Sequence, residues 1–303
     1  MNTIFTKSQI LLISLLLITL TGYKNPAGKG QKFSFVFMTD IHVEPERHAM
    51  EGLTKAIEKT NALKPDFVIT GGDLIMDALD QKQPRVDSLY DIYIDLSRKF
   101  KMPVYNTMGN HEMFGVLKSS GVSPGNPLYG KKMFEKRLGK LYYAFNHKGW
   151  RFYILNSIDI DENRNYYGHI DEEQMAWLKK DLEQVDKKTP ICISVHIPFY
   201  TIQTQILQGP LAPNSRGGVI TNGNDVLKLF SGHNLKLVLQ GHLHFLEDLY
   251  ANGVHFITGG AVCAAWWQGP RNGMEEGFLQ INVKGDDFTW KYIDYGWEVK
   301  ETE

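Results

Sequence analysis

Five apolar runs in this 303-residue chain end in the same way, and that repetition limits the fold more than any single motif does. Phe33-Ser34-Phe35-Val36-Phe37-Met38 is rich in β-formers and runs into Thr39-Asp40-Ile41-His42. Phe67-Val68-Ile69 runs into Gly71-Gly72-Asp73, and Pro103-Val104-Tyr105 leads to Gly109-Asn110-His111-Glu112. Residues 191–195 end at His196, and residues 235–239 end at Gly241-His242-Leu243-His244. Between the first three runs lie segments of helical period. One spans residues 47–63, with Met50, Leu53 and Ile57 on one face and Pro65 as its stop; the other spans 84–100, with Pro84 in its first turn and Leu89, Ile92, Tyr93 and Leu96 on one face. Strand–helix–strand–helix–strand predicts a mostly parallel sheet with crossover helices.

The rest of the chain fits a second sheet. Tyr142-Tyr143-Ala144-Phe145 and Arg151-Phe152-Tyr153-Ile154-Leu155 flank Asn146-His147-Lys148-Gly149 as a hairpin. A helix capped by Asp171 is expected to run to residue 188. After a Gly- and Pro-containing loop over 198–222 and a short helix over 225–230, the tail is β-rich: 246–250, 254–258, 278–283 and 288–293. With no repeat and no internal linker, the expectation is a single α/β domain with two facing sheets.

Composition narrows the class. Hydrophobic residues make up 43% and charged residues 22% of the chain, ordinary for a globular protein with a sizeable core. A formal net charge of -1 without a long basic block gives no support to a nucleic-acid-binding surface. Lys7 followed by a mostly apolar stretch over residues 10–20 fits an export signal better than a bilayer span, which needs about twenty residues. Leu20-Thr21-Gly22 precedes Tyr23 rather than a cysteine, so no thioether lipid can be attached there. The expected organisation is a signal peptide over 1–22, a linker over 23–32 and the domain over 33–303, in an exported (periplasmic or secreted), non-lipidated protein. Cys192 and Cys263 both lie in apolar runs and read as buried free thiols outside any metal motif.

In an open α/β sheet, ligands gather outside the carboxyl ends of the strands, so the polar residues at the five strand ends are expected to converge. Besides His111, they comprise Asp40, His42, Asp73, Asn110, His196, His242 and His244: carboxylates, imidazoles and an amide, with no thiolate. That set suits a pair of divalent first-row ions, Mn, Fe or Zn, without choosing among them. Asp-x-His and His-x-His are expected to lie on strand-like backbone, which would put both side chains on one face. Two carboxylates leave two dications with positive charge, which attracts a phosphate oxyanion and activates a water. Gly109 is expected to allow a tight turn.

The ordered set Asp-x-His, Gly-Asp, Gly-Asn-His-Glu, His and Gly-His-x-His resembles the calcineurin-like metallophosphoesterase superfamily over about residues 33–249. The resemblance implies a four-layer α-β-β-α sandwich of two mixed sheets and a dimetal site at one sheet edge. It implies one ion held by Asp40, His42, Asp73 and His244, and another by Asp73, Asn110, His196 and His242, with Asp73 bridging. It also implies that His111 contacts the phosphate and protonates the leaving group, with Glu112 hydrogen-bonded to His111 as its support. Purple acid phosphatases, which share the fold, carry a metal-binding Tyr three residues after the Gly-Asp aspartate, where this chain has Met76, and they lack the His of the first motif, present here as His42. The chain is therefore more similar to the cyclic-nucleotide-phosphodiesterase-like branch. The implied activity is hydrolysis of phosphate esters by a metal-bound hydroxide, on diesters or a broad range. The alternatives are a phosphomonoesterase and a non-catalytic metal- or phospholigand-binding protein on the same fold. Arg216, in a Gly-rich loop, and Arg271, after Trp266-Trp267-Gln268-Gly269-Pro270, are candidate phosphate contacts, and Trp266 is a candidate stacking surface. Oligomeric state and a stable membrane span find no sequence signal.

Overall fold

The computed structural model describes residues 30–300. The expected signal segment, 1–22, and the linker as far as residue 29 lie outside the described residues; the rest of the linker runs into the first strand, at Lys32. The elements in chain order are β1 (Lys32–Met38), α1 (Ala49–Leu63), β2 (Phe67–Thr70), α2 (Gln83–Ser97), β3 (Val104–Asn106), α3 (Lys132–Leu138), β4 (Tyr143–His147), β5 (Trp150–Ile154), β6 (Ile158–Ile160), β7 (Tyr166–Gly168), α4 (Glu172–Leu182), β8 (Pro190–Ser194), α5 (Gln203–Gln208), α6 (Gly223–Leu229), β9 (Asn234–Gln240), β10 (Leu246–Ala251), β11 (Val254–Gly259), β12 (Gly277–Lys284) and β13 (Asp287–Asp294).

Two mixed sheets carry the fold. The first has the order β13-β12-β1-β2-β3, and the second β10-β11-β9-β8-β5-β4. Within the first, β1, β2 and β3 are parallel, and β12 and β13 extend it antiparallel. Within the second, β5, β8, β9 and β11 are parallel between antiparallel edges. The pleat explains the layering. Phe33, Phe35 and Phe37 of β1, with Phe67 and Ile69 of β2, meet Trp150, Phe152, Ile154, Leu237 and Leu239 from the opposite sheet in one buried cluster. The alternate residues Val36, Met38 and Val68 belong to the core that also takes Leu53 and Ile57 of α1 and Val86 and Leu89 of α2. On the other sheet Tyr153 and Arg151 of β5 reach Asp181 of α4 at 2.6 Å, so α4 covers that outer face. The result is the expected four-layer α-β-β-α sandwich.

Several boundaries differ from expectation. Helix α4 stops at Leu182 rather than 188: beyond it the backbone tightens to three-residue bonds, Gln184 N to Asp181 O and Val185 N to Leu182 O, and then turns where Asp186 Oδ1 accepts from Lys188 N. Helices α3 and α5 and the small β6–β7 pair give weak sequence signals, being short and half polar. No described helix is long and apolar enough to cross a membrane.

The intersheet aromatic cluster holds the two halves together: Phe152 meets Phe35 and Phe67 edge-on at 5.5 and 5.2 Å between centroids. Phe152→Ala is therefore expected to lower the unfolding free energy by about 3–5 kcal/mol. Leu211→Ala, at a position 95% exposed, should change it by no more than about 0.5 kcal/mol. Urea unfolding of the two variants beside the parent checks both, and equal midpoints would contradict this picture of the core.

Candidate metal centre

The parallel strands of both sheets point their carboxyl ends at one place. β1 delivers Asp40 and His42, β2 delivers Asp73, the segment after β3 delivers Asn110 and His111, β8 delivers His196, and β9 delivers His242 and His244. These residues come together as expected. Asp40, His42, Asp73, Asn110, His196 and His244 are buried, whereas the His111 side chain keeps 25% of its surface open.

The local route to this convergence departs from the strand geometry expected for Asp-x-His and His-x-His. β1 ends at Met38 and β9 at Gln240, and Asp40, His42, Asp73, His242 and His244 all have positive φ, between 46° and 73°. Left-handed backbone is uncommon for residues with a Cβ and costs about 1–3 kcal/mol at each such position, so it persists only where surrounding contacts overdetermine it. Here they do. Asp40 N and Ile41 N donate to the carbonyls of Gly72 and Asp73, and His42 N also donates to Asp73 O at 2.9 Å. The first two strand ends are thus laced to each other.

The donor atoms face one another in a way that calls for cations. His42 Nδ1 is turned to Met76 O at 3.5 Å, and His244 Nδ1 donates to Ala264 O at 2.5 Å. A carbonyl only accepts, so the Nε2 atoms are left as lone-pair nitrogens, and they stand 3.1 Å apart. Burial first, and then the neighbouring His111 ring, hold His42 well below the ordinary histidine range, so a proton does not resolve that opposition cheaply. His196 likewise donates Nδ1–H to Gly71 O at 2.8 Å, leaving Nε2 directed at Asp73 Oδ2 and Asn110 Oδ1, both at 3.1 Å. Three acceptors on one spot are satisfied by a cation, or else by a proton: burial works against the imidazolium, but the Asp73 carboxylate prevails and raises His196 to about 9. Asp73 Oδ2 also lies 3.5 Å from His42 Nε2, so a single carboxylate oxygen faces both imidazole groups. The donor set therefore fits two divalent ions sharing Asp73.

His111 and Glu112 divide their work differently from expectation. Glu112 makes no hydrogen bond to the His111 ring. Its Oε2 accepts from Asp73 N at 3.0 Å and Gly109 N at 2.7 Å, and its Oε1 accepts from Leu74 N at 2.7 Å and Ile75 N at 3.2 Å. It is a buried clamp on the loop that presents Asp73. Burial and the Asp73 charge push it up to about 7, against the pull of those N–H groups. The His111 ring is held by Met76 instead, Nδ1 donating to its carbonyl at 2.6 Å. Gly109 also has another role than the expected tight turn. Its φ and ψ are -105° and 179°, extended backbone open to any residue, but a Cβ there would lie 2.1 Å from Asp73 N. Glycine is needed for the close approach.

The candidate substrate residues separate. Arg216 is 60% exposed, lies over the Tyr167 ring at 4.2 Å and faces Asp161, with no contact to any ligand candidate among the described residues. Trp266 lies at the centre, its ring centroid 4.6 Å from that of His244 and 6.1 Å from that of His42, with Arg271 above it at 4.4 Å. The adjacent Trp267 is fully buried and donates Nε1–H to His42 O at 3.0 Å. Sequence reasoning missed three contributors. Cys263 Sγ sits 4.0 Å from His244 Nδ1, the ring edge turned away from the other ligands, so the thiol is a neighbour of the centre; burial pushes it well up. Tyr166 faces the His242 ring edge-on at 6.0 Å. Ser157 Oγ, just beyond β5, accepts from His196 N and Ile197 N at 3.2 and 2.8 Å. Only the Cys263 and Trp266 segment had a readable signal, since it follows the end of a further parallel strand, β11.

Glu112→Gln replaces one acceptor oxygen with an NH₂ group facing backbone donors. It is expected to cost about 1–3 kcal/mol of stability and to lower the metal content of the purified protein, because the Asp73 loop loosens. Chemical denaturation with elemental analysis checks this, and a full metal complement at parental stability would contradict the clamp.

A model of the Calcineurin-like phosphoesterase family matches residues 33–246. The chain is 26% identical over 238 residues to purple acid phosphatase 22 of Arabidopsis thaliana, covering 75% of this chain and 50% of that protein, so it spans about half that relative's length. It is 23% identical over 241 residues to a probable cyclic nucleotide phosphodiesterase of Rhodococcus erythropolis, covering 77% of this chain and 71% of that protein. Among solved structures, a dimetal phosphatase from Danio rerio superposes with a TM-score of 0.58 at 16% identity, over 87% of this chain and 99% of that one. Purple acid phosphatase PPD1 from yellow lupin gives 0.58 at 16% identity, over 89% of this chain and 52% of that one. At these identities the superpositions establish a shared fold. With the family match running from the first strand through the last histidine motif, the chain belongs to the calcineurin-like phosphoesterase family.

Proposed function

We propose that this protein hydrolyses phosphate esters with two divalent metal ions, acting on diesters or on a broad range of esters. The observation that carries the reading is the facing of lone pairs across the centre. His42 Nε2 and His244 Nε2 stand 3.1 Å apart, and Asp73 Oδ2 is shared between His42 and His196. In this reading Asp40, His42, Asp73 and His244 hold one ion, and Asp73, Asn110, His196 and His242 the other. Such ions supply charge neutralisation for the phosphate oxygens and activation of the attacking water. The nitrogen and oxygen donors of these two sets are compatible with Mn, Fe or Zn, and the Cys263 thiol, within 4.8 Å of ligand atoms of His42 and His244, stands outside both sets in this reading.

The chain's own residues account for the rest. Asp73 is fixed from both ends: its N–H is held by Glu112, and its Oδ1 accepts from His111 N at 2.9 Å. His111 is held through Nδ1, which leaves Nε2 as the nitrogen available to a substrate, and like His242 it is partly exposed where the other ligand candidates are buried. From there it protonates the departing oxygen. A ligand set alone would bind metal without this open imidazole, which favours an enzyme over a binding protein. Between ester classes the relatives do not choose, since one is named a phosphatase and the other a probable phosphodiesterase. A phosphomonoesterase is the second reading.

Asp73→Asn is expected to lose both metal and activity. His111→Ala should keep its metal and lose about 10²–10⁴-fold in turnover. Elemental analysis beside assays with bis-p-nitrophenyl phosphate and p-nitrophenyl phosphate tests the proposal and separates diester from monoester preference. Turnover at the parental rate in His111→Ala would overturn the assigned proton donor, and metal loading without turnover of any ester would favour the binding-protein reading.

A further inference from the structure

Resting on the phosphoesterase reading, we propose that Arg271, carried on the face of Trp266, binds a second oxyanion of the substrate, distinct from the phosphate that is cleaved. Three observations converge on this. The Arg271 guanidinium lies 4.4 Å above the Trp266 ring and, among the described residues, has no carboxylate partner. Most other arginines of the chain do have one, as Arg85 does with Glu46, Arg137 with Asp91 and Arg151 with Asp181. A guanidinium presents a planar fork of donors matched to phosphate or carboxylate, and an aromatic face supports it while leaving those donors free.

The second observation is position. Trp266 packs against both His244 and His42, so Arg271 stands beside the Asp40, His42 and His244 side of the centre. The guanidinium lies over the Trp266 ring, and that ring in turn lies against the His244 ring, so Trp266 is the shared support between Arg271 and the donor cluster. A group bound there is adjacent to the cleaved phosphate without being the same group.

The third is rigidity. Arg271 and Met274 exchange two backbone hydrogen bonds at 2.9 Å around Asn272-Gly273, whose φ values are 51° and 79°. Positive φ at both central residues is the turn geometry that Asn-Gly favours. Ala264, Trp266 and Trp267 also have positive φ, and Trp267 is locked to His42 O and would collide with any Cβ at Gly52, 2.1 Å from its ring. The segment after β11 thus spends backbone strain to present Trp266 and Arg271 in a fixed place, as preorganised binding segments do.

The test is isothermal titration calorimetry on the protein purified with its metals, using propylphosphonate, 1,3-propylenediphosphonate and 3-phosphonopropionate. The parent should bind at least one of the two ligands that carry a second anionic group about tenfold or more tightly than propylphosphonate. The other arm then tells whether phosphate or carboxylate is the better second group. Arg271→Ala should erase that preference at parental metal content and leave propylphosphonate binding within about threefold, and Arg271→Lys should restore part of it. No preference in the parent, or an Arg271→Ala preference equal to the parent's, overturns the proposal. So does an equal loss for all three ligands, which would place Arg271 on the cleaved phosphate. Failure of propylphosphonate to bind, together with no turnover of either nitrophenyl ester, strikes the phosphoesterase reading instead.

Discussion

The carboxylate of Asp73 is the contact on which the rest of the centre depends. Its Oδ2 faces His196 on one side and His42 on the other, so it joins the donors of the two sheets into one site. Its Oδ1 takes the N–H of His111, which ties the proton donor of the proposed reaction to the same side chain. Placing it there requires left-handed backbone at Asp73, a close approach by Gly109, and the four N–H bonds to Glu112. A buried acid that binds only backbone is a costly way to hold a loop, and it is explained by the need to keep another acid fixed among imidazoles.

The fold serves this contact through direction. Parallel strands deliver all their carboxyl ends to one edge, and two such sheets packed face to face deliver two sets of ends to the same place. In the two large sheets, among the described residues, the antiparallel strands lie toward the margins and contribute none of the clustered donors. The intersheet aromatics have a mechanical role as well as an energetic one. A slip between the sheets would separate His196 and His242 from Asp40, His42 and Asp73, so the close packing of Phe35, Phe67 and Phe152 sets the register of the centre.

Much of this was legible in the sequence because it rests on period and order. The β-formers of residues 33–38, helical spacing through Leu53 and Ile57, and the polar residues after each apolar run led to an α/β fold with two facing sheets and to the eight clustered residues. The errors have physical causes. The reading of Asp40-Ile41-His42 as strand-like failed because period-two logic applies only while the backbone stays extended, and here hydrogen bonds from the neighbouring strand end hold it left-handed. The Glu112–His111 contact was carried over from the family resemblance, yet the Glu112 carboxylate turns to the N–H groups of a loop nearly forty positions earlier. Arg216 and Arg271 were both candidate phosphate contacts, and only Arg271 rests on a ring packed against the clustered histidines.

What the sequence determined by itself was the inventory and the direction: which side chains leave the strand ends, in what order, and with nitrogen and oxygen donors suited to divalent ions. Those properties are local, set by side-chain chemistry and hydrophobic period. The tertiary structure decided the partnerships. It placed Glu112 under Asp73, Met76 O behind His111, Trp267 behind His42, and Arg271 on Trp266. Each of these is a contact between segments far apart in the chain or turned away from their neighbours, and no local pattern encodes it. Such pairings become fixed only when the two sheets pack and the backbone at the centre is forced into conformations that the residues would not choose alone.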